Sequence, residues 1–185
     1  LFRSWGTPLE SFQDADICSQ VAQVGLACYS KSGSLADIRF LNRPAVVSLS
    51  DMSGSAHFFT LTGISNDTVT LVAGEQPITL PLVLFQQRWK GEFQLLWRMP
   101  PAYDTPLAPG SDGPVVAWLA SQLGAEPDAS APVYDADLQQ QVLAFKADRG
   151  LGRDSTVDVE TWIQINSIEG LGIPFLSAPN TEAPR

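Results

Sequence analysis

The sequence predicts an α+β chain of two domains: short helices running into a mostly antiparallel sheet, then a small bundle of three helices. Three observations carry this. Helical apolar stripes before residue 42 give way to strand-like alternation between residues 45 and 97. Prolines bunch at 100–114, where a linker is expected. Residues 115–166 then return to helical spacing, with a capping residue ahead of each run. The predicted division is 1–100 for the first domain, 101–113 for the linker, 114–176 for the second domain and 177–185 for a tail.

In the first domain, LFRSWG at 1–6 reads as the last turn of a helix ended by Gly6. From Asp14, the residues Ile17, Val21 and Val24 form a helical stripe closed by Gly25, and 26–29 are extended. Ser34 caps a helix through Leu41, with Asp37 placed for a capping box, and Pro44 breaks it. The strands expected next are Ala45–Leu49, His57–Gly63, Thr68–Val72 and Ile78–Leu80, with a turn at Ser65-Asn66-Asp67. Residues 82–90 read as a helix and Phe93–Trp97 as the last strand.

In the second domain, Pro114 sits where a first helical residue is pre-organised, opening a helix with Val115, Trp118, Leu119 and Leu123 that Gly124 stops. Asp135 caps the next helix, in which Leu138, Val142 and Phe145 share one face and read as core, and Gly150 ends it. Asp158 caps a third helix carrying Trp162 and Ile165, with Val157 placed to staple against Trp162.

An apolar share of 44% in 185 residues allows real cores. The formal charge of −9 is unevenly spread: residues 1–100 carry net −1 and residues 112–170 net −7. Nucleic acid requires a basic patch, and none is present. The acidic second domain is repelled by anionic lipid, so its ligand must be recognised by shape and hydrogen bonds. No run approaches the ~20 apolar residues that span a bilayer. A start at Leu1, without methionine or signal peptide, predicts a trimmed piece of a longer protein. One histidine and two cysteines do not make a normal zinc site, and neither a phosphate-cradling loop nor a dinucleotide fingerprint occurs, so no metal and no cofactor is expected. The acidic pairs Asp14/Asp16 and Asp135/Asp137 read as caps and solvated positions; a glycosidase needs two carboxylates across a cleft, which sequence cannot place. Cys18 and Cys28 are buried thiols in a reducing compartment or the ends of a short closed loop in an oxidising one.

Residues 115–166 resemble the small peptidoglycan-binding domain of cell-wall hydrolases and envelope proteins, on AFKADRGL, Asp154, Thr161-Trp162 and Asn166. That family usually has glycines in its turn, where this chain has Ser155 and Asp158. The first domain resembles the papain-like fold of the C39 bacteriocin-processing peptidases, on NRPAVVSL, AHFFTLTGI, TVTLV and the helix with Phe85 and Trp89. His57 matches their histidine position. Their cysteine opens the helix before the SWG stretch, a position ahead of Leu1, so Cys18 does not match it. Their orienting aspartate falls at Ala73-Gly74, with Glu75 out of register. The resemblance therefore implies a degenerate peptidase with His57 as a vestige and no catalytic residue, because the relay needs a nucleophile and an acid.

Together the two domains resemble the periplasmic part of the general secretion pathway protein A family (GspA/ExeA), on LFRSWG, Cys18 with GLACY, and NRPAV. The resemblance implies a non-catalytic periplasmic module that binds peptidoglycan and helps place the type II secretin through the wall. It also implies an upstream ATPase domain and membrane helix, a partner inner-membrane protein B, and a Cys18–Cys28 disulfide, and it permits a homo-oligomer. The expected wall site lies beside the turn between the last two helices, with Arg149, Arg153, Asp154 and Gln164 as contacts and Tyr134 as a groove wall. Arg149 and Arg153 either hold a carboxylate in bidentate fashion or merely offset Asp148, Asp154 and Asp158. The competing readings are an active cysteine peptidase or wall hydrolase, and a purely protein-binding adaptor.

Overall fold

The computed structural model describes residues 1–6, 17–74, 76–104, 106–125, 132–168 and 172–176. A 3-10 turn, Phe2–Trp5, ends on Gly6. Then follow α1 (Ile17–Val21), a 3-10 turn Ala22–Val24, β1 (Leu26–Ser32), α2 (Leu35–Leu41), β2 (Ala45–Ser50), β3 (Ala56–Ile64), β4 (Thr68–Ala73), β5 (Gln76–Pro81), α3 (Leu82–Arg88) and β6 (Trp89–Arg98). The helices described after β6 are α4 (Pro114–Gln122), α5 (Ala136–Arg149) and α6 (Val159–Ile165). The chain is thus α+β, as the sequence predicts. Asp14 and Asp16 lie outside the described residues. No helix among those described is long and apolar enough to cross a membrane.

Two compact units emerge. The first gathers residues 1–21, 28–96 and the segment from Gly172; the second gathers 22–27 and 97–171. The first is built on a six-stranded sheet of order β1-β6-β2-β3-β4-β5, in which β2 pairs antiparallel with β3 and β6, and β4 with β3 and β5. Along β2, Ala45, Val47 and Leu49 are buried and the residues between them are not, the period-2 signature of a strand with one covered face. Leu61, Val69, Leu71, Leu95 and Phe85 share that core with Ile38 and Leu41 of α2. The capping box is complete: Ser34 accepts from the Asp37 N–H, and Asp37 accepts from the Ser34 N–H at 2.7 Å. The helix ends before Pro44 because Asn42 turns left-handed, φ 50°, a conformation asparagine tolerates. The stripe expected on α1 is shorter than the spacing suggests: the 3-10 turn leaves Val24 53% exposed. Cys18 and Cys28 form a disulfide between α1 and β1.

The boundaries fall differently from the composition. Gly172–Leu176, expected in the second domain, pack with the first: the Leu176 N–H donates to Asn42 Oδ1 at 3.2 Å and the Phe175 ring lies under the Arg43 guanidinium at 4.8 Å. Residues 101–113, expected as a linker, are partly built into the second unit. Leu107 is buried and exchanges backbone hydrogen bonds with Val157, and Tyr103 stands edge-on to Trp97 and Trp162. Apolar residues scattered among prolines thus anchor a stretch whose composition alone reads as loose. In the second unit Leu119, Val142, Trp162 and Ile165 are buried, and Asp135 and Asp158 cap α5 and α6 through Leu138 N–H and Thr161 N–H.

Candidate functional site

Each unit carries a polar constellation that joins an acid to a base. The first stands at the tip of the β2–β3 hairpin. Ser50 pairs with Ala56, so residues 51–55 must reverse the chain in a tight turn. Asp51 Oδ1 fixes it by accepting from the Ser53 and Ser55 N–H groups at 2.8 and 3.0 Å and from the Ser53 hydroxyl. Its other oxygen, Oδ2, lies 2.8 Å from His57 Nε2. The Ser53 hydroxyl and then His57 hold the Asp51 carboxyl well below the usual carboxylate range. His57 therefore has an acidic partner, which corrects the expectation that it stands without one. The acid precedes the histidine in the chain, across the hairpin turn, rather than following it on the next strand. Ala73 ends β4, and Glu75 lies outside the described residues. The cysteines offer His57 no thiolate, because both of the chain's cysteines are joined to each other. Among the described residues no group of three or more His, Cys, Asp or Glu side chains is placed to hold a metal.

The second constellation is the turn between α5 and α6. Gly150 ends α5 at φ 69°, where a side chain would be strained. Lys146, one turn earlier, is only 1% exposed. Its ammonium donates to Asp154 Oδ1 at 3.1 Å and to the Thr156 carbonyl at 2.9 Å, so a buried cation ties down the turn. Asp154 also accepts from the Thr156 N–H at 2.9 Å, and its carboxyl is lowered first by Lys146 and then by that amide. Gly152 makes room: a Cβ there would meet Asp154 Oδ2 at 2.9 Å.

Tyr134 is 1% exposed and donates its hydroxyl to the Ser155 carbonyl at 2.6 Å; it props the turn from beneath instead of walling a groove. Burial, and then Asp154, push its phenol up to about 12. Gln164 is also buried, 5% exposed, and its Oε1 accepts from Arg149 Nη1 at 3.4 Å. Arg149 stacks over the Phe145 ring at 5.3 Å, which fixes the plane of its guanidinium. Arg153 is exposed and makes no hydrogen bond or ion pair with a described residue. Neither arginine pairs with Asp148, Asp154 or Asp158. The turn therefore presents two exposed guanidinium groups above an internally satisfied base. Lys146 is the member that sequence reading missed, although it falls four residues after Val142 on the inward face of α5.

The sequence profile of the family described as GspA, peptidase C39-like domain, matches residues 1–99. The chain belongs to the GspA family. Its matched part is the sheet-bearing stretch, so the GspA profile stops short of α4–α6. General secretion pathway protein A of Aeromonas hydrophila is 28% identical over 186 residues, covering 99% of this chain and 34% of that protein. A putative general secretion pathway protein A of Escherichia coli K12 is 25% identical, covering 92% of this chain and 35% of the relative. This GspA-family chain thus spans about a third of the length of the curated relatives it matches. A crystal structure of a periplasmic domain of the EpsAB fusion protein of the Vibrio vulnificus type II secretion system has the same fold. It superposes with a TM-score of 0.60 at 21% identity, covering 94% of this chain and 77% of that one.

Proposed function

We propose that this chain is a non-catalytic periplasmic module of type II secretion that binds peptidoglycan at the α5–α6 turn and helps carry the secretin through the wall. The observation that carries the reading is the pair Arg149 and Arg153: two exposed guanidiniums without carboxylate partners in a stretch of net −7 charge. Stem peptides of the wall end in carboxylates, and a guanidinium takes a carboxylate through two parallel hydrogen bonds. The Cys18–Cys28 disulfide suits an oxidising compartment such as the periplasm. The fold likeness to an EpsAB fusion, whose name joins A and B, supports a protein B partner in the inner membrane. In this reading the domain boundary lies near residue 97, and α4–α6 are a peptidoglycan-binding domain.

The test is co-sedimentation of the chain with insoluble peptidoglycan. Losing the charge-assisted hydrogen bonds in Arg149→Ala/Arg153→Ala is expected to weaken binding roughly 10- to 100-fold, the equivalent of about 1.5–3 kcal/mol. Unchanged binding by a variant that keeps its melting temperature contradicts the assignment.

The pairing of His57 with Asp51 favours a second reading, an active peptidase, since an oriented imidazole is one half of a cysteine relay. We expect no turnover of double-glycine leader peptides, because both cysteines are oxidised to one another. Turnover lost in Cys18→Ser would establish the peptidase.

A further inference from the structure

The core face of the sheet does not close at the hairpin tip. His57, Phe59 and Leu61 alternate onto that face of β3, and only Leu61 is fully covered. Beyond it a groove of about 320 Å³ opens between the sheet and α3, walled by Leu49, Phe59, Leu71, Leu80 and Leu84. Its rim extends the apolar surface outward: Met52 is 93% exposed and Ile78 46%. Two side chains of that size facing water beside an apolar groove mark a contact surface larger than the cavity itself.

The charges along the groove are unbalanced. At one end Asp51 already accepts from Ser53, Ser55 and His57, so its carboxylate is saturated. At the other end Arg88 closes α3 and lines the groove half-buried, with no hydrogen bond or ion pair to any described residue. A guanidinium partly withdrawn from water against leucines, without an acceptor, is the one unmatched charge among the described residues that line the groove. The neighbouring edge strand β5 carries Pro77 and Pro81, which lack the N–H groups a further strand would need. β5 is therefore poorly suited to take a further strand, and what the groove offers is its side chains.

We propose that this groove docks an apolar segment of a partner polypeptide that carries a carboxylate for Arg88. The apolar residues fill the space between β3, β5 and α3, and the carboxylate takes the fork of the guanidinium. The inference concerns the first unit and stands independently of wall binding by the second.

The test uses the full chain and two labelled synthetic pentapeptides, blocked at both ends, Leu-Phe-Asp-Leu-Phe and its Asn counterpart, followed by fluorescence anisotropy. We expect the Asp probe to bind at least tenfold more tightly than the Asn probe. Arg88→Gln should abolish that preference while leaving the shared apolar affinity. Met52→Asp, at a position too exposed to disturb the core, should weaken both probes at least tenfold. The proposal is overturned if neither probe binds, if the wild type binds both equally, or if Arg88→Gln keeps the preference. It is equally overturned if sedimentation velocity shows a dimer that Met52→Asp disperses, since the occupant is then a second copy. A chain ending at Leu176 that binds the Asp probe more than tenfold tighter would assign the groove to the chain's own tail, and would overturn it too.

Discussion

The hairpin tip of the first unit and the α5–α6 turn of the second each pair an acid with a base, yet they are built oppositely. At the tip both partners face water: the His57 and Asp51 side chains are 55% and 39% exposed. At the turn the base is inside and the acid outside, Lys146 at 1% and Asp154 at 61%. An exposed pair contributes little, because solvent and salt screen it. A buried ammonium must be satisfied or it destabilises the fold. The contact between Asp51 and His57 therefore adds little to folding, whereas the α5–α6 turn depends on its pair. The covalent tie of the first unit lies elsewhere, in the Cys18–Cys28 disulfide.

The largest expected effect tests that covalent tie. Cys18 and Cys28 are separated by 10 residues, and opening a loop of that size is expected to cost about 3 kcal/mol. Denaturant unfolding with and without reductant measures it; equal midpoints would show that the disulfide contributes nothing. Next comes the turn. Asp154→Ala leaves the Lys146 ammonium with only the Thr156 carbonyl, and we expect a loss of about 2 kcal/mol, less than for a wholly buried pair because Asp154 is largely exposed. Lys146→Met removes the buried charge itself and should cost less than Asp154→Ala. The reverse order in thermal melts would break the comparison.

A smaller effect follows in pH. The folded Asp154 carboxyl titrates below its unfolded value, so its contribution is present above the ordinary carboxylate range, around pH 4, and is lost as pH falls through the lower folded pKa. Acid unfolding of Asp154→Asn should lack that component, and an unchanged acid limb would count against the Lys146 tie. The smallest effect belongs to the exposed imidazole of the tip pair: His57→Ala, which leaves the Asp51 turn bonds in place, should shift stability by less than about 0.5 kcal/mol. A drop of several degrees in melting temperature would mean that the hairpin turn bears on the core.

What the sequence disclosed, and what it hid, follows from range. Local rules placed the Ser34–Asp37 capping box, the Asp135 and Asp158 caps and the alternation of β2, because each acts within four residues. The Asp51–His57 pair was hidden because the two residues meet only once a serine-rich turn has reversed the chain. Lys146 was hidden because apolar periodicity does not count a lysine as an inward residue, even one in phase with Leu138 and Val142. Tyr134 and Gln164 invited a surface role by residue type, and their burial follows only from how α5 and α6 pack. The return of Gly172–Leu176 to the first unit rests on contacts with Asn42 and Arg43 more than 120 residues away, which no local pattern announces.

The most direct measurement of wall binding at the α5–α6 turn is an amide chemical-shift titration of the full chain with a soluble muropeptide bearing a free stem carboxylate. We expect the largest shifts at Arg149, Arg153 and the amides of 154–156, vanishing in Arg149→Ala/Arg153→Ala. Shifts clustered on another surface, or none at saturating muropeptide, would contradict the assignment of that turn.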